Sequence, residues 1–186
     1  MFKKAIFCLI LLGSGFACDN NKTEKTEKSL SEINKERDQE IKRSPKAIQD
    51  AVLESYRAFS FKEGSKPDYK DLRSKFTSAA QVAFKRGDSL MSLPVDEYLK
   101  SHQENVEQGN LRALEERQVF SKTEFFGNIA HHLSTYEARI NSEDSIAERG
   151  IISYQLLKKD DKWLIHSMIW DSEKENLPIP EEYLKN

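Results

Sequence analysis

Two adjacent histidines, His131 and His132, stand inside the run FGNIAHHLSTYEARI. Imidazole is the commonest metal ligand and titrates near neutral pH, so such a pair could hold an ion or shuttle a proton. The run alternates apolar and polar residues as a β-strand does. Consecutive strand residues point to opposite faces, so the two rings cannot grip one ion. The chain has no His-Glu-x-x-His pattern, no paired cysteines, no Gly-x-Ser-x-Gly elbow and no glycine-rich phosphate loop after a strand. We therefore expect neither a metal nor any other cofactor.

The same alternation splits the strand into two faces. Ala130, His132, Ser134 and Tyr136 share one, and Ile129, His131, Leu133 and Thr135 share the other. Either could line a cavity. A small residue beside polar groups and an aromatic suits a lined cavity better, so the first set is the candidate. Tyr56, on an amphipathic helix upstream, can add a hydroxyl to it. The bland alternative is the commoner fate of such residues: Tyr56 and Tyr136 as core aromatics with satisfied hydroxyls, and His132 as a structural or interface histidine.

Several elements must position these groups. Ile48, Val52, Tyr56 and Phe59 recur at helical spacing, which predicts a helix from Ser44-Pro45, a favoured cap and first residue, to about Phe61. A shorter helix is expected over Tyr69 to Phe76. AQVAF and SLMSL read as paired strands across residues 85–88. Pro94 opens a helix that Gly109 closes. A strand meander then runs to Asp171, with a tight hairpin at Asp160-Asp161. Helices followed by antiparallel strands predict an α+β fold, with helices packed on one face of a sheet.

The first 43 residues read differently. Lys3 and Lys4, the apolar run Ala5 to Leu12 and the small residues up to Ala17 make a secretory signal over residues 1–17, too short to span a bilayer. Cys18 follows at once and resembles the acylated cysteine of bacterial lipoproteins. Cys8 leaves with the signal, so Cys18 is the lone cysteine of the mature chain and no internal disulfide can form. Residues 18–43 alternate Lys and Glu with few apolar side chains, and are expected to form a flexible tether. Residues 44–186 then form one domain. Without Lys3 and Lys4 the chain carries 27 basic against 31 acidic residues, which argues against nucleic acid. The expected setting is the bacterial cell envelope, on a membrane through acylated Cys18.

The strand containing Gly127 and Ala130, followed by two strands of which the second opens with Trp163, resembles the nuclear-transport-factor-2-like superfamily, also called SnoaL-like or ketosteroid-isomerase-like. That resemblance implies a strongly curved antiparallel sheet wrapped on helices, a pocket inside the cone, and homodimers through the outer sheet face. Isomerase chemistry in such a fold needs a carboxylate base in an apolar pocket and a hydroxyl donor. Tyr56 could donate. Glu115, Asp96 and Asp171 are the carboxylates weighed as the base, and none fits: Glu115 alternates with Arg117 as a solvated ladder does, and Asp171 ends its strand. The leading expectation is thus a non-enzymatic lipoprotein binding a small apolar or amphipathic ligand, or a protein partner. An isomerase or lyase and a purely structural dimer module are the alternatives. In KWLIHSMIW both faces are largely apolar, so the outer one needs cover, from a second copy or from the segment LPIPEEYLKN folding back.

Overall fold

A computed structural model describes residues 29–141 and 144–185. Its first helix, α1 (Leu30–Phe59), begins fifteen residues earlier than the Ser44-Pro45 signal suggests. Ser29 caps it: its hydroxyl accepts from the Glu32 amide at 3.3 Å, and the Glu32 carboxylate accepts from the Ser29 amide at 2.9 Å. This reciprocal Ser-x-x-Glu box satisfies two orphan donors of the first turn. Pro45 lies inside the helix, which runs on through it. Within the expected tether, where Glu and Lys four apart favour helix over Glu32 to Lys42, the chain is helical from Leu30 onward. Burial starts where the boundary was expected, at Ser44 and Ile48, while Leu30 to Arg37 are exposed. Residues 1–28, including the expected signal and Cys18, lie outside the described residues.

Helix α2 (Tyr69–Ser74) is capped by Asp68, whose carboxylate accepts from two backbone amides at 3.0 Å. Strands β1 (Phe76–Arg86) and β2 (Ser89–Pro94) form the expected hairpin. Helix α3 (Val95–Glu107) ends before Gly109, which adopts the left-handed conformation (φ +75°) that favours glycine after a helix. The meander is β3 (Leu114–Phe126), β4 (Ile129–Ile140), β5 (Glu148–Lys159) and β6 (Lys162–Ser172). Asp160 and Asp161 both take positive φ, 49° and 59°, as a two-residue hairpin turn requires.

The sheet order is β2-β1-β6-β5-β4-β3. Every neighbouring pair is antiparallel except β1 and β6, which run parallel, so the sheet is mixed rather than wholly antiparallel. Helices α1 and α3 cover its inner face. Ile48, Val52, Tyr56 and Phe59 of α1 are all buried there, among Val82, Leu156, Trp163 and Ile165. Each such side chain contributes about 1.5–3 kcal/mol through burial.

Two one-residue bulges decide which side chains enter that core. In β3 the register slips at Val119, and in β6 at His166. A bulge inverts the inside-outside alternation beyond it. In β6 the inner set is therefore Trp163 and Ile165, then Met168 and Trp170, while Ile169 turns outward and is half exposed. An uninterrupted strand would have put Trp163, Ile165 and Ile169 on one side; the bulge corrects that.

The outer face is partly covered from within the chain. After β6 the Ile179 amide donates to Glu173 at 3.0 Å, and a 3-10 turn follows at Glu181–Tyr183. There the Thr135 hydroxyl donates to the Tyr183 carbonyl at 2.6 Å, and the Tyr183 ring lies edge-on to Phe120 at 5.9 Å. The tail thus covers the Thr135 end. Toward the opposite end of the sheet, Phe126 is 84% and Ile129 56% exposed, with Leu157 beside Ile129 in register.

Candidate functional site

Glu116, Ala138 and Glu148 are partners in consecutive strand pairings, so they form one row across the inner face. Ala138 contributes only a methyl between them, and the two carboxylates face one space from backbones two strand spacings apart, roughly 10 Å. In the next row Tyr136 stands opposite Gly150. A Cβ at Gly150 would collide with the Asp171 carbonyl and approach the Tyr136 ring carbon Cε1 at 2.8 Å, so only glycine lets that ring lie flat across β5. The Tyr136 hydroxyl consequently reaches Glu148 Oε1 in a short hydrogen bond, and the Ser172 hydroxyl donates to the same oxygen at 2.6 Å.

These rows floor a cavity of about 210 Å³. Phe59 at the end of α1 and Tyr98 and His102 of α3 roof it, and Tyr154 and Trp170 complete the floor. The Trp170 indole is fixed by stacking on Phe84 at 4.5 Å and by the Tyr98 edge at 5.8 Å. Offset and edge-on pairs of this kind are worth about 0.5–1.5 kcal/mol each beyond their burial.

Three polar groups on this wall lack protein partners among the described residues. The Glu116 carboxyl is pushed up to about 7 by burial and then by the charge of Glu148, with no hydrogen bond contributing. Burial also raises the Tyr98 hydroxyl, reinforced by Glu116 and Glu148, again with no hydrogen bond. His102 accepts or donates at Nδ1 with the Tyr69 hydroxyl (2.9 Å), while its buried Nε2 has no partner. Burial among aromatic rings lowers His102 to about 4 and so keeps it neutral. A carboxyl titrating near 7 can take or give a proton at neutral pH; a neutral imidazole and a phenol can each donate or accept a hydrogen bond.

Of the residues expected to line a pocket, Tyr136 lines this cavity. Tyr56, Ala130, His132 and Ser134 share its face without lining it: Ala130 borders a separate surface hollow beside Phe126 and Ile129, and Tyr56, Ser134 and His132 join one hydrogen-bond network. The Tyr56 and Ser134 hydroxyls meet at 2.9 Å, and Gln118 Nε2 donates to Ser134 at 2.8 Å and to His132 Nε2 at 2.9 Å. His132 Nδ1 then donates to the Thr123 hydroxyl at 2.7 Å. His132 is fully buried and held neutral, lowered to about 4 by desolvation and by His131. No polar atom of the three side chains is left for a ligand. His131 points to the outer face and is exposed, where Nε2 meets the Ser153 hydroxyl.

The carboxylates weighed from sequence stand outside the cavity. Glu115 pairs with Arg139, Asp96 with Arg73, and Asp171 with Lys174 and the Ser172 amide. Glu116 and Glu148 are the ones sequence reasoning missed. The signal for Glu116 was present: Glu115 and Arg117 belong to an outward ladder, Arg117 reaching Glu137 at 2.6 Å, so their neighbour must point inward.

No protein-family model and no curated protein matches this chain. Solved structures do. An NTF2-like protein of unknown function from Shewanella baltica OS155 aligns at 19% identity and TM-score 0.52, over 72% of this chain and 96% of its own. A protein of unknown function with a cystatin-like fold from Nostoc punctiforme aligns at 10% identity and TM-score 0.56, over 69% and 90%. The fold is the nuclear-transport-factor-2-like cone. A candidate scytalone dehydratase from Novosphingobium aromaticivorans shares this cone at 16% identity and TM-score 0.56, over 70% of this chain and 85% of its own. At such identities the likeness concerns the fold alone, and activity has to be argued from the cavity.

Proposed function

We propose that this protein is an exported lipoprotein, anchored through acylated Cys18, whose cone domain binds a small, largely apolar molecule bearing one polar group. The observation that carries the binding reading is the cavity itself: an aromatic wall with three convergent polar groups that no protein partner satisfies. Buried polar groups are ordinarily paired, and unpaired ones facing a cavity await water or a ligand. At about 210 Å³ the cavity is smaller than the roughly 300–1,000 Å³ typical of drug-sized ligands, which suits a molecule of one or two rings. The anchor rests on the signal pattern before Cys18. A homodimer across the exposed Phe126, Ile129 and Leu157 patch completes the proposal.

Glu116 favours a second reading, an isomerase or lyase. A carboxyl poised near 7 in an apolar site suits a general base, with the Tyr98 hydroxyl as a donor to a developing oxyanion.

Native mass spectrometry of protein purified from its own membranes tests the proposal. The expected species carries acyl chains on Cys18 and releases a small molecule on activation. An unmodified mass for the chain starting at Cys18 overturns the anchor. A cavity that is empty in the native protein and takes up no small aromatic probe overturns the binding reading.

A further inference from the structure

The charge that the cavity wall can carry is all negative. Glu116 and Glu148 face it, no Lys or Arg lines it, and His102 is neutral. Glu116 is faced by Glu148 and Tyr154 from β5, Tyr136 from β4, Tyr98 from α3 and Tyr56 from α1, and by no cationic side chain. Two carboxylates in a poorly screened space repel one another. The Tyr98 and Trp170 rings line the same cavity, and an aromatic quadrupole attracts a cation. An anionic guest would meet two like charges here. A neutral guest would leave their repulsion in place, whereas a cation relieves it.

We propose, building on the binding reading above, that the ligand is a small organic cation: an aryl- or alkyl-ammonium lodged between Glu116 and Glu148 against Tyr98 and Trp170. The hydrogen-bond inventory supports this independently. A primary ammonium has three N–H donors and no acceptor. Both Glu116 carboxyl oxygens and the Tyr98 hydroxyl oxygen are free among the described residues. Glu148 is held by Tyr136 and Ser172 through Oε1, which leaves Oε2 for a guest. The two Glu116 oxygens, Glu148 Oε2 and the Tyr98 oxygen thus offer more acceptors than the three N–H donors of an ammonium need, and the carboxylates supply the opposite charge.

The test uses the full chain and three probes matched in ring and length: benzylamine, benzyl alcohol and benzoate, titrated at pH 8 by calorimetry and tryptophan fluorescence. Benzylammonium is expected to bind at least about tenfold more tightly than the alcohol, with benzoate weakest. The preference should shrink as pH falls from 8 to 5, because Glu116 takes up a proton while the amine stays charged. That series needs no variant, so it stands even if a substitution unfolds the protein. In Glu116→Gln the preference should fall to within about threefold at pH 8. The alcohol or benzoate binding as tightly as the amine, or an amine preference unchanged by pH and by Glu116→Gln, overturns the cation while leaving the binding reading intact. Failure of all three probes to bind overturns both.

Discussion

Replacing Glu116 by Gln should make the protein more stable at alkaline pH and leave it unchanged in acid. An ordinary Glu titrates at 4.5, and in the fold Glu116 is pushed up to about 7 by burial and by Glu148. The folded state therefore holds this proton more tightly than the unfolded chain. Its stabilising effect is complete below 4.5 and is lost as pH rises through 7. The rise from 4.5 to about 7, at about 1.4 kcal/mol per pH unit, makes the loss about 3.5 kcal/mol at most. Gln keeps the shape without the charge, so it should escape that loss. The two buried histidines, both lowered to about 4, act in the opposite sense: their contribution is present above 6.5 and is lost as pH falls toward 4. They are common to both proteins and cancel in the difference. Urea unfolding of wild type and variant at half-unit steps from pH 4 to 9 gives the comparison directly. The midpoints should coincide near pH 4 and separate by about 1–2 M urea at pH 8.5. Parallel profiles across the range would refute the buried-carboxyl argument.

Gly150→Ala should destabilise the protein by about 1–3 kcal/mol, since the new methyl meets backbone at Asp171 and the Tyr136 ring at 2.8 Å; an unchanged urea midpoint would show that β5 and β6 separate freely. The same substitution should weaken probe binding by moving the Tyr136 hydroxyl off Glu148, which the calorimetric titration reads. Light scattering on residues 29–186 should report a dimer at tens of micromolar and a monomer for the double variant Ile129→Lys, Leu157→Lys; a monomeric parent protein would sink the dimer and leave the Tyr183 tail as the outer face's cover.

Most of the elements could be read from local chemistry. The Ile48-Val52-Tyr56-Phe59 stripe, the break at Gly109 and the Asp160-Asp161 hairpin each depend on a few neighbouring residues, and the structure contains all three. What escaped depends on longer range or on single-residue accidents. Ser44-Pro45 is a strong start signal, but the Ser29–Glu32 box lies upstream of it and the helix continues through the proline. The parallel β1–β6 pair joins residues nearly ninety positions apart, beyond any periodicity argument. A bulge costs one residue and leaves no compositional mark, yet the one at His166 is what turns Trp170 toward the cavity. Glu148 escaped because its role depends on Gly150, two residues on, letting Tyr136 reach it across the sheet.

The inner face holds two kinds of polar group, and sequence parity cannot tell them apart. His132, Ser134, Gln118, Thr123 and Tyr56 donate and accept among themselves, and the remaining Gln118 Oε1 accepts from Gln49 Nε2 at 3.4 Å. Such a network fixes one packing of α1 on β3 and β4, because any slip would strand several buried groups at once. One row further along, Glu116 and, facing it from α3, Tyr98 and His102 Nε2 meet no such partners. An unpaired buried polar atom such as His102 Nε2 costs about 1–3 kcal/mol. That difference, rather than residue type, separates the structural histidine from the candidate site. The candidate site is accordingly the two glutamates and Tyr98, while of the histidine pair His132 is buried in the core network and His131 faces outward.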